Sequence, residues 1–232
     1  SKHISLADWK IARLVAGEYY CERVAALAQE ALDMMISCAD TLRRGGAPDF
    51  EAMTMAQMLS GLTMQLLGNS RAASGAEHLI AHLIEMKPPR FENAHGIHGE
   101  CVGVGTVLCA AEYRRMARKT PKARPFEPLS ESWIREKFGS LAECIIEENK
   151  NDVLASFEPQ NIVDNWQAIR DIVSAIPPAE ELAALFKDLG GKYRLPDIGI
   201  DEALEPEILD ISAAIRNRLT LARMRRVLDF EE

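Results

Sequence analysis

The sequence has 232 residues, 47% of them hydrophobic and 27% charged. That is ordinary globular usage, and it excludes a disordered chain, a collagen and a disulfide scaffold. The formal charge of −8 argues against general nucleic-acid binding, and no apolar run reaches the roughly 20 residues of a membrane span.

One or two domains fit this length. The chain opens Ser1-Lys2-His3-Ile4 without Met or a signal peptide and enters a helical pattern at once, which reads as a fragment of a longer protein. Ala7, Ile11, Leu14 and Val15 share one helical face. Apolar positions continue at helical spacing from Glu22 to Leu42, and Gly45-Gly46-Ala47-Pro48 ends that run, with Arg43 and Arg44 in the last turn. Asp49 to Leu67, rich in Met and Leu, is a third helix, and Ser74 to Met86 a fourth, stopped by Pro88-Pro89. Gly99 to Met116 is a fifth.

Shorter helices are predicted over Leu129–Phe138, Leu141–Glu148, Pro159–Ile176 and Pro178–Leu189, the two prolines suiting first-turn positions. Asp201–Leu204, Glu207–Arg216 and Leu221–Phe230 complete the pattern. No segment sustains the two-residue alternation of a strand, so the expected fold class is all-α.

Two basic runs, Tyr113 to Pro125 and Arg216 to Arg226, contain no acid. Solvated helix faces, neutralised by acids between Glu127 and Glu148, explain them better than phosphate contact does. The five cysteines, Cys21, Cys38, Cys101, Cys109 and Cys144, form no Cys-x-x-Cys pair and read as free buried thiols in a cytoplasmic protein.

Four of the five histidines, His78, His82, His95 and His98, fall in one helix and the loop after it. His78 and His82 share a face at i and i+4. With a further His or a carboxylate they make a plausible site for zinc, iron or nickel. Spacing alone leaves this open against a polar helix face that holds no ion.

The runs GNSRAASGAEHLIAH at 68–82 and HGECVGVGT at 98–106 resemble segments of the sn-glycerol-1-phosphate dehydrogenases. So do LADWKIA at 6–12 and IRNRLT at 215–220. The resemblance is strong over residues 1–119 and weaker to the end. These enzymes group with the glycerol dehydrogenases, iron-type alcohol dehydrogenases and dehydroquinate synthases. The resemblance implies that residues 1–232 are the helical metal- and substrate-binding domain of a two-domain enzyme. The N-terminal dinucleotide-binding domain is absent from this chain. No strand, Gly-rich turn and helix unit is present to bind NAD(P).

The resemblance carries the two metal-ligating histidines to His78 and His98. The third ligand, an Asp in a Gly-x-Gly-Asp segment, falls before the position that matches Ser1. His82 lies beside the substrate, Asp8 is structural and His95 faces solvent or the cleft mouth. No residue here is assigned a catalytic role of its own. In the complete enzyme a divalent metal (Zn, Ni or Fe) acts as a Lewis acid on the C2 oxygen of dihydroxyacetone phosphate, while the nicotinamide supplies hydride. The implied partners are a small phosphorylated polyol and further copies in a homo-oligomer. Ser70 and Arg71, just ahead of the His78 helix, are candidate phosphate-binding residues. For Arg71 a structural role is equally open.

Two other readings compete. One is another polyol dehydrogenase or a dehydroquinate-synthase-like lyase, although the synthases carry a Gly-His-Thr run where this chain has SGAEHLIAH. The other is a catalytically inactive helical module.

Overall fold

The computed structural model describes residues Ser1–Glu231 and is mostly helical, as the sequence predicts. The long ones come first: α1 (Lys2–Ala16), α2 (Glu22–Arg43), α3 (Phe50–Leu67), α4 (Ala76–Met86) and α5 (His98–Ala117). Then follow α6 (Glu131–Phe138), α7 (Ala142–Asn149), α8 (Gln160–Asp164), α9 (Trp166–Ser174), α10 (Ala179–Asp188), α11 (Glu205–Ile211) and α12 (Leu221–Met224). Helix ends are set by local chemistry. Asp49 and Ser130 cap α3 and α6 with their side chains. Gly17 and Gly68 end α1 and α3 in the left-handed conformation that favours glycine.

The expected absence of strands needs correction. β1 (Thr120–Ala123) and β2 (Leu228–Glu231) pair antiparallel, Thr120 opposite Glu231 and Ala123 opposite Leu228. Four residues are too few to display alternation, and the partner lies more than a hundred positions away, so neither signal is local. β2 also shortens the predicted helix over 221–230 to α12, one 3₁₀ turn and a strand. The single helix expected over 159–176 is two, broken at Asn165, whose side-chain amide donates to the Asn161 carbonyl at 2.8 Å. The segment 202–204 is a 3₁₀ turn, and the helix expected to reach Arg216 ends at Ile211.

α5 is the central helix. It is buried on nearly every side, which suits its run of small and apolar residues, and it packs against α4, α9 and α10. α1 lays Ile4, Ala7, Ile11 and Val15 into the same core. Each Ile or Val side chain buried this way contributes about 1.5–3 kcal/mol. α2 and α3 form an antiparallel pair beside this body, and α3 is barely buried: only Ala56 and Thr63 are enclosed, while Phe50, Met55, Met58, Leu62 and Leu66 are exposed.

Two buried ionic centres tie distant segments together. Asp8, fully buried, accepts hydrogen bonds from the Tyr113 hydroxyl at 2.7 Å and from the Leu221 and Ala76 N–H groups at 2.9 Å each. It thereby anchors the first turn of α4 to α1, α5 and α12, the structural role expected of it. Burial raises its pKa to about 6, although Arg71 and these hydrogen bonds oppose the shift. Arg223, also fully buried, bonds to Asp152 and to the carbonyls of Ala213 and Arg216.

Most basic side chains of the two runs pair with acids of this chain, several of them at the surface. Their acids, however, are mostly not those between Glu127 and Glu148. Glu112 takes Arg115 and Arg225, Asp152 takes Arg223 and Arg226, and Glu231 takes Lys122. The cysteines are all free, but Cys21 is only half-buried and Cys144 is exposed, against the expectation that all five are interior.

Candidate metal and substrate site

α4 and α5 bring three histidines together. His78 and His82 stand one turn apart on α4, and His98 opens α5. Their ring centroids are 5.5 Å apart for His78 and His98, 5.7 Å for His82 and His98 and 6.3 Å for His78 and His82. All three line a cavity of about 720 Å³. Much of its lining is apolar, supplied by Leu32 and Met35 of α2, Met64 of α3, and Leu182 and Phe186 of α10.

The helices approach closely enough because small residues stand at the contacts. A Cβ on Gly105 of α5 would lie 2.5 Å from the Glu77 carbonyl oxygen of α4. One on Gly75, the residue before α4, would meet Asp8 Oδ2 and Ser5 Cα at 2.7 Å each.

Each imidazole is held at Nδ1 by a carboxylate. Glu77 Oε1 lies 2.8 Å from His78 Nδ1 and also accepts the Gly75 N–H at 3.1 Å. Glu85 Oε1 lies 2.8 Å from His98 Nδ1, and Glu85 Oε2 3.2 Å from His82 Nδ1. Glu77 is fully buried, and its second oxygen has no partner. Burial lowers the His82 pKa despite Glu85, which favours the neutral ring that ligates metals.

This donor set fits a divalent cation. Imidazoles backed by carboxylates are the usual metal-binding form of histidine, and carboxylates near a site help to offset a dication. His82, Glu85 and His98 also present ligand-type atoms all within 4.8 Å of one another.

Ser70 lines the cavity, and its hydroxyl accepts from Arg218 at 2.9 Å. Arg71 does not line it. Its guanidinium is buried and bound to Glu18 at 2.7 Å and to the carbonyls of Asp8 and Leu219 at 3.2 and 2.5 Å. Of the two roles open to Arg71, the structural one accounts for these contacts. His95 is exposed, with its backbone N–H on the Ile198 carbonyl at 2.8 Å.

Glu77, Glu85 and Lys2 are site residues that sequence reasoning missed. Lys2 lines the cavity and donates to Ser60 at 2.5 Å. A signal for Glu85 was available, since it stands seven residues after His78 and three after His82, on the same helical face.

A helical domain that gathers histidines from adjacent helices at a cavity is the class to which the sequence resemblance pointed. No protein-family model matches the chain. It is, however, 29% identical over 223 residues to a glycerol-1-phosphate dehydrogenase [NAD(P)+] of Geobacillus stearothermophilus, covering 96% of this chain and 48% of that protein. With the Bacillus licheniformis enzyme of the same name it shares 28% over 219 residues, 94% of this chain and 45% of the relative. With that of Sulfolobus acidocaldarius it shares 34% over 125 residues, 52% of this chain and 34% of the relative. The resemblance to the glycerol-1-phosphate dehydrogenases therefore extends over nearly the whole chain. The chain spans about half the length of the curated relatives that match along it. Among the described residues, no helix is long and apolar enough to cross a membrane.

Proposed function

We propose that this chain is the metal- and substrate-binding half of an NAD(P)-dependent glycerol-1-phosphate dehydrogenase that reduces dihydroxyacetone phosphate. The observation that carries the reading is the convergence of His78, His82 and His98, each backed by a carboxylate, on one cavity in a chain similar to those enzymes along its length. His78 and His98 would hold the metal (zinc, nickel or iron), with an Asp outside this chain as the third ligand. When bound, the metal supplies Lewis acidity toward a carbonyl or hydroxyl oxygen. His82 and the Ser70 hydroxyl flank the substrate, Arg218 orients that hydroxyl, and Arg71 fixes the loop ahead of α4 rather than touching phosphate. The apolar lining excludes water from the reacting centre. The nucleotide is held by a separate domain, and the same reading takes the enzyme to be cytoplasmic and homo-oligomeric.

Calorimetric titration of the chain with Zn²⁺ and Ni²⁺ tests the assignment. Weak binding is expected, because two protein ligands leave the ion half solvated. His78→Ala and His98→Ala should each weaken it at least tenfold. Affinity unchanged in both variants refutes the ligand set. The chain by itself should not oxidise NADH with dihydroxyacetone phosphate, so His98-dependent turnover would overturn the division of labour between two domains.

A further inference from the structure

We propose that Glu85 is a shared positioning carboxylate, whose two oxygens hold the Nδ1–H groups of His82 and His98 at once and so fix which nitrogen each ring presents to the cavity. The proposal deepens the metal-site reading and rests on it for its functional meaning, though not for its geometry.

The two contacts use different oxygens, Oε1 for His98 at 2.8 Å and Oε2 for His82 at 3.2 Å, so they coexist. An ionised carboxylate only accepts. Both Nδ1 atoms must therefore donate, and in each neutral ring the lone pair is left on Nε2. One contact stays within α4, where Glu85 follows His82 by three residues; the other crosses to the first residue of α5. Glu85 therefore couples the rings of two helices that no covalent neighbour holds together.

Burial does not explain this placement. Glu85 is one-third exposed and His98 about half exposed, so each side chain could turn to water. Both carboxylate oxygens are nonetheless occupied, and only by imidazoles among the described residues. At the other end of the cluster Glu77 holds His78 in the same way from a fully buried position. Three imidazoles are thus fixed at Nδ1 by two carboxylates, the outer-sphere arrangement that orients ligating histidines. Direct ligation by Glu85, together with His82 and His98, is the competing arrangement. It would require both Nδ1 atoms to give up their protons or both rings to turn over.

The test needs only the intact chain labelled with ¹⁵N. In the metal-free protein at pH 7.5, long-range ¹H–¹⁵N spectra should show His82 and His98 in the Nδ1–H tautomer. Glu85→Ala should convert both to the tautomer mixture of exposed His95. Glu85→Gln, whose amide offers one acceptor and one donor, should keep at most one of them in place. His78 should not change in either variant, which reports that α4 is still folded. Adding Zn²⁺ should leave the Nδ1–H signals in place, and both substitutions should weaken Zn²⁺ binding about 10- to 100-fold. Nε2–H tautomers in the native chain, or tautomers unmoved in Glu85→Ala, overturn the proposal. Loss of the Nδ1–H signals on adding Zn²⁺ overturns it in favour of direct ligation. If the tautomers behave as expected but no Zn²⁺ binds, the positioning role stands and the metal reading fails.

Discussion

The close approach of α4 and α5 makes Gly105 the position where stability and site geometry can be perturbed together. In Gly105→Ala the new methyl group would sit 2.5 Å from the Glu77 carbonyl oxygen and 3.3 Å from Glu77 Cα. The obstacle is backbone, so no rotamer change relieves it. Reaching even a tight 3.0 Å contact requires about 0.5 Å of separation at this point. Overpacking of this kind costs about 1–3 kcal/mol. The better helix propensity of Ala returns about 1 kcal/mol, leaving a net loss of about 1 kcal/mol. At this chain length that lowers Tm by roughly 2–4 °C. Gly61→Ala in α3 is the control, because a Cβ there meets nothing within 4 Å. It should raise Tm by a similar amount through propensity alone. The displacement falls on the residue next to His78, and binding sites tolerate about 0.5 Å of misplacement. Gly105→Ala should therefore also weaken Zn²⁺ binding, while Gly61→Ala leaves it unchanged. Thermal unfolding by circular dichroism and calorimetry read the two effects. If Gly105→Ala gains stability as Gly61→Ala does and keeps its metal affinity, the helix contact does not set the site.

Other outcomes follow from the buried ionic centres. Asp8 has a folded pKa of about 6, above the ordinary 3.8, chiefly through burial. The native state thus binds its proton more tightly than the unfolded chain does. Its contribution is fully present below about pH 3.8 and is lost as pH rises through about 6, by on the order of 3 kcal/mol. Urea midpoints measured from pH 4 to 7 should fall more steeply in the native chain than in Asp8→Asn, and parallel profiles would contradict the assignment. Arg223→Met leaves Asp152 with one fewer cation and strips the Ala213 and Arg216 carbonyls of their donor. Breaking a buried pair from one side costs about 3–5 kcal/mol, and a loss under 1 kcal/mol in chemical denaturation would show that water replaces the guanidinium. Tyr113→Phe removes one hydrogen bond from Asp8 and should cost about 1–2 kcal/mol by the same measurement.

What was legible in the sequence was what is periodic or local. The helices of the first half carry uninterrupted 3.6-residue patterns, and their ends carry Gly, Pro or Asp, so they fell within a few residues of their observed bounds. His78 and His82 were readable as one face because a single helix supplies both. The bond from Glu85 to His98 was not, because it depends on how α4 and α5 cross. Arg71 shows the same limit. A guanidinium ahead of a helix N-terminus looks identical in sequence whether it faces a ligand or, as here, is enclosed between Glu18, Asp8 and Leu219. The ribbon is not legible in the sequence because Thr120 finds its partner at Glu231.

The Asp8 centre has a consequence for the order in which the chain can acquire its site. Asp8 bonds to the N–H of a residue 213 positions further on. During synthesis its carboxylate emerges ahead of Ala76 and Tyr113, and it can meet both well before Leu221 leaves the ribosome. Until then the acid that anchors the start of α4 lacks one of its three donors, and Ala222 and Met224 have not yet entered the core. The helix pair bearing His78 and His98 is thus local in sequence, but its final seating waits for Leu221, Ala222 and Met224. A nascent chain stalled before Thr220 would present the histidines on a loosely docked α4. Ribosome-bound chains halted on either side of that point should differ in protease resistance at the loop ahead of α4.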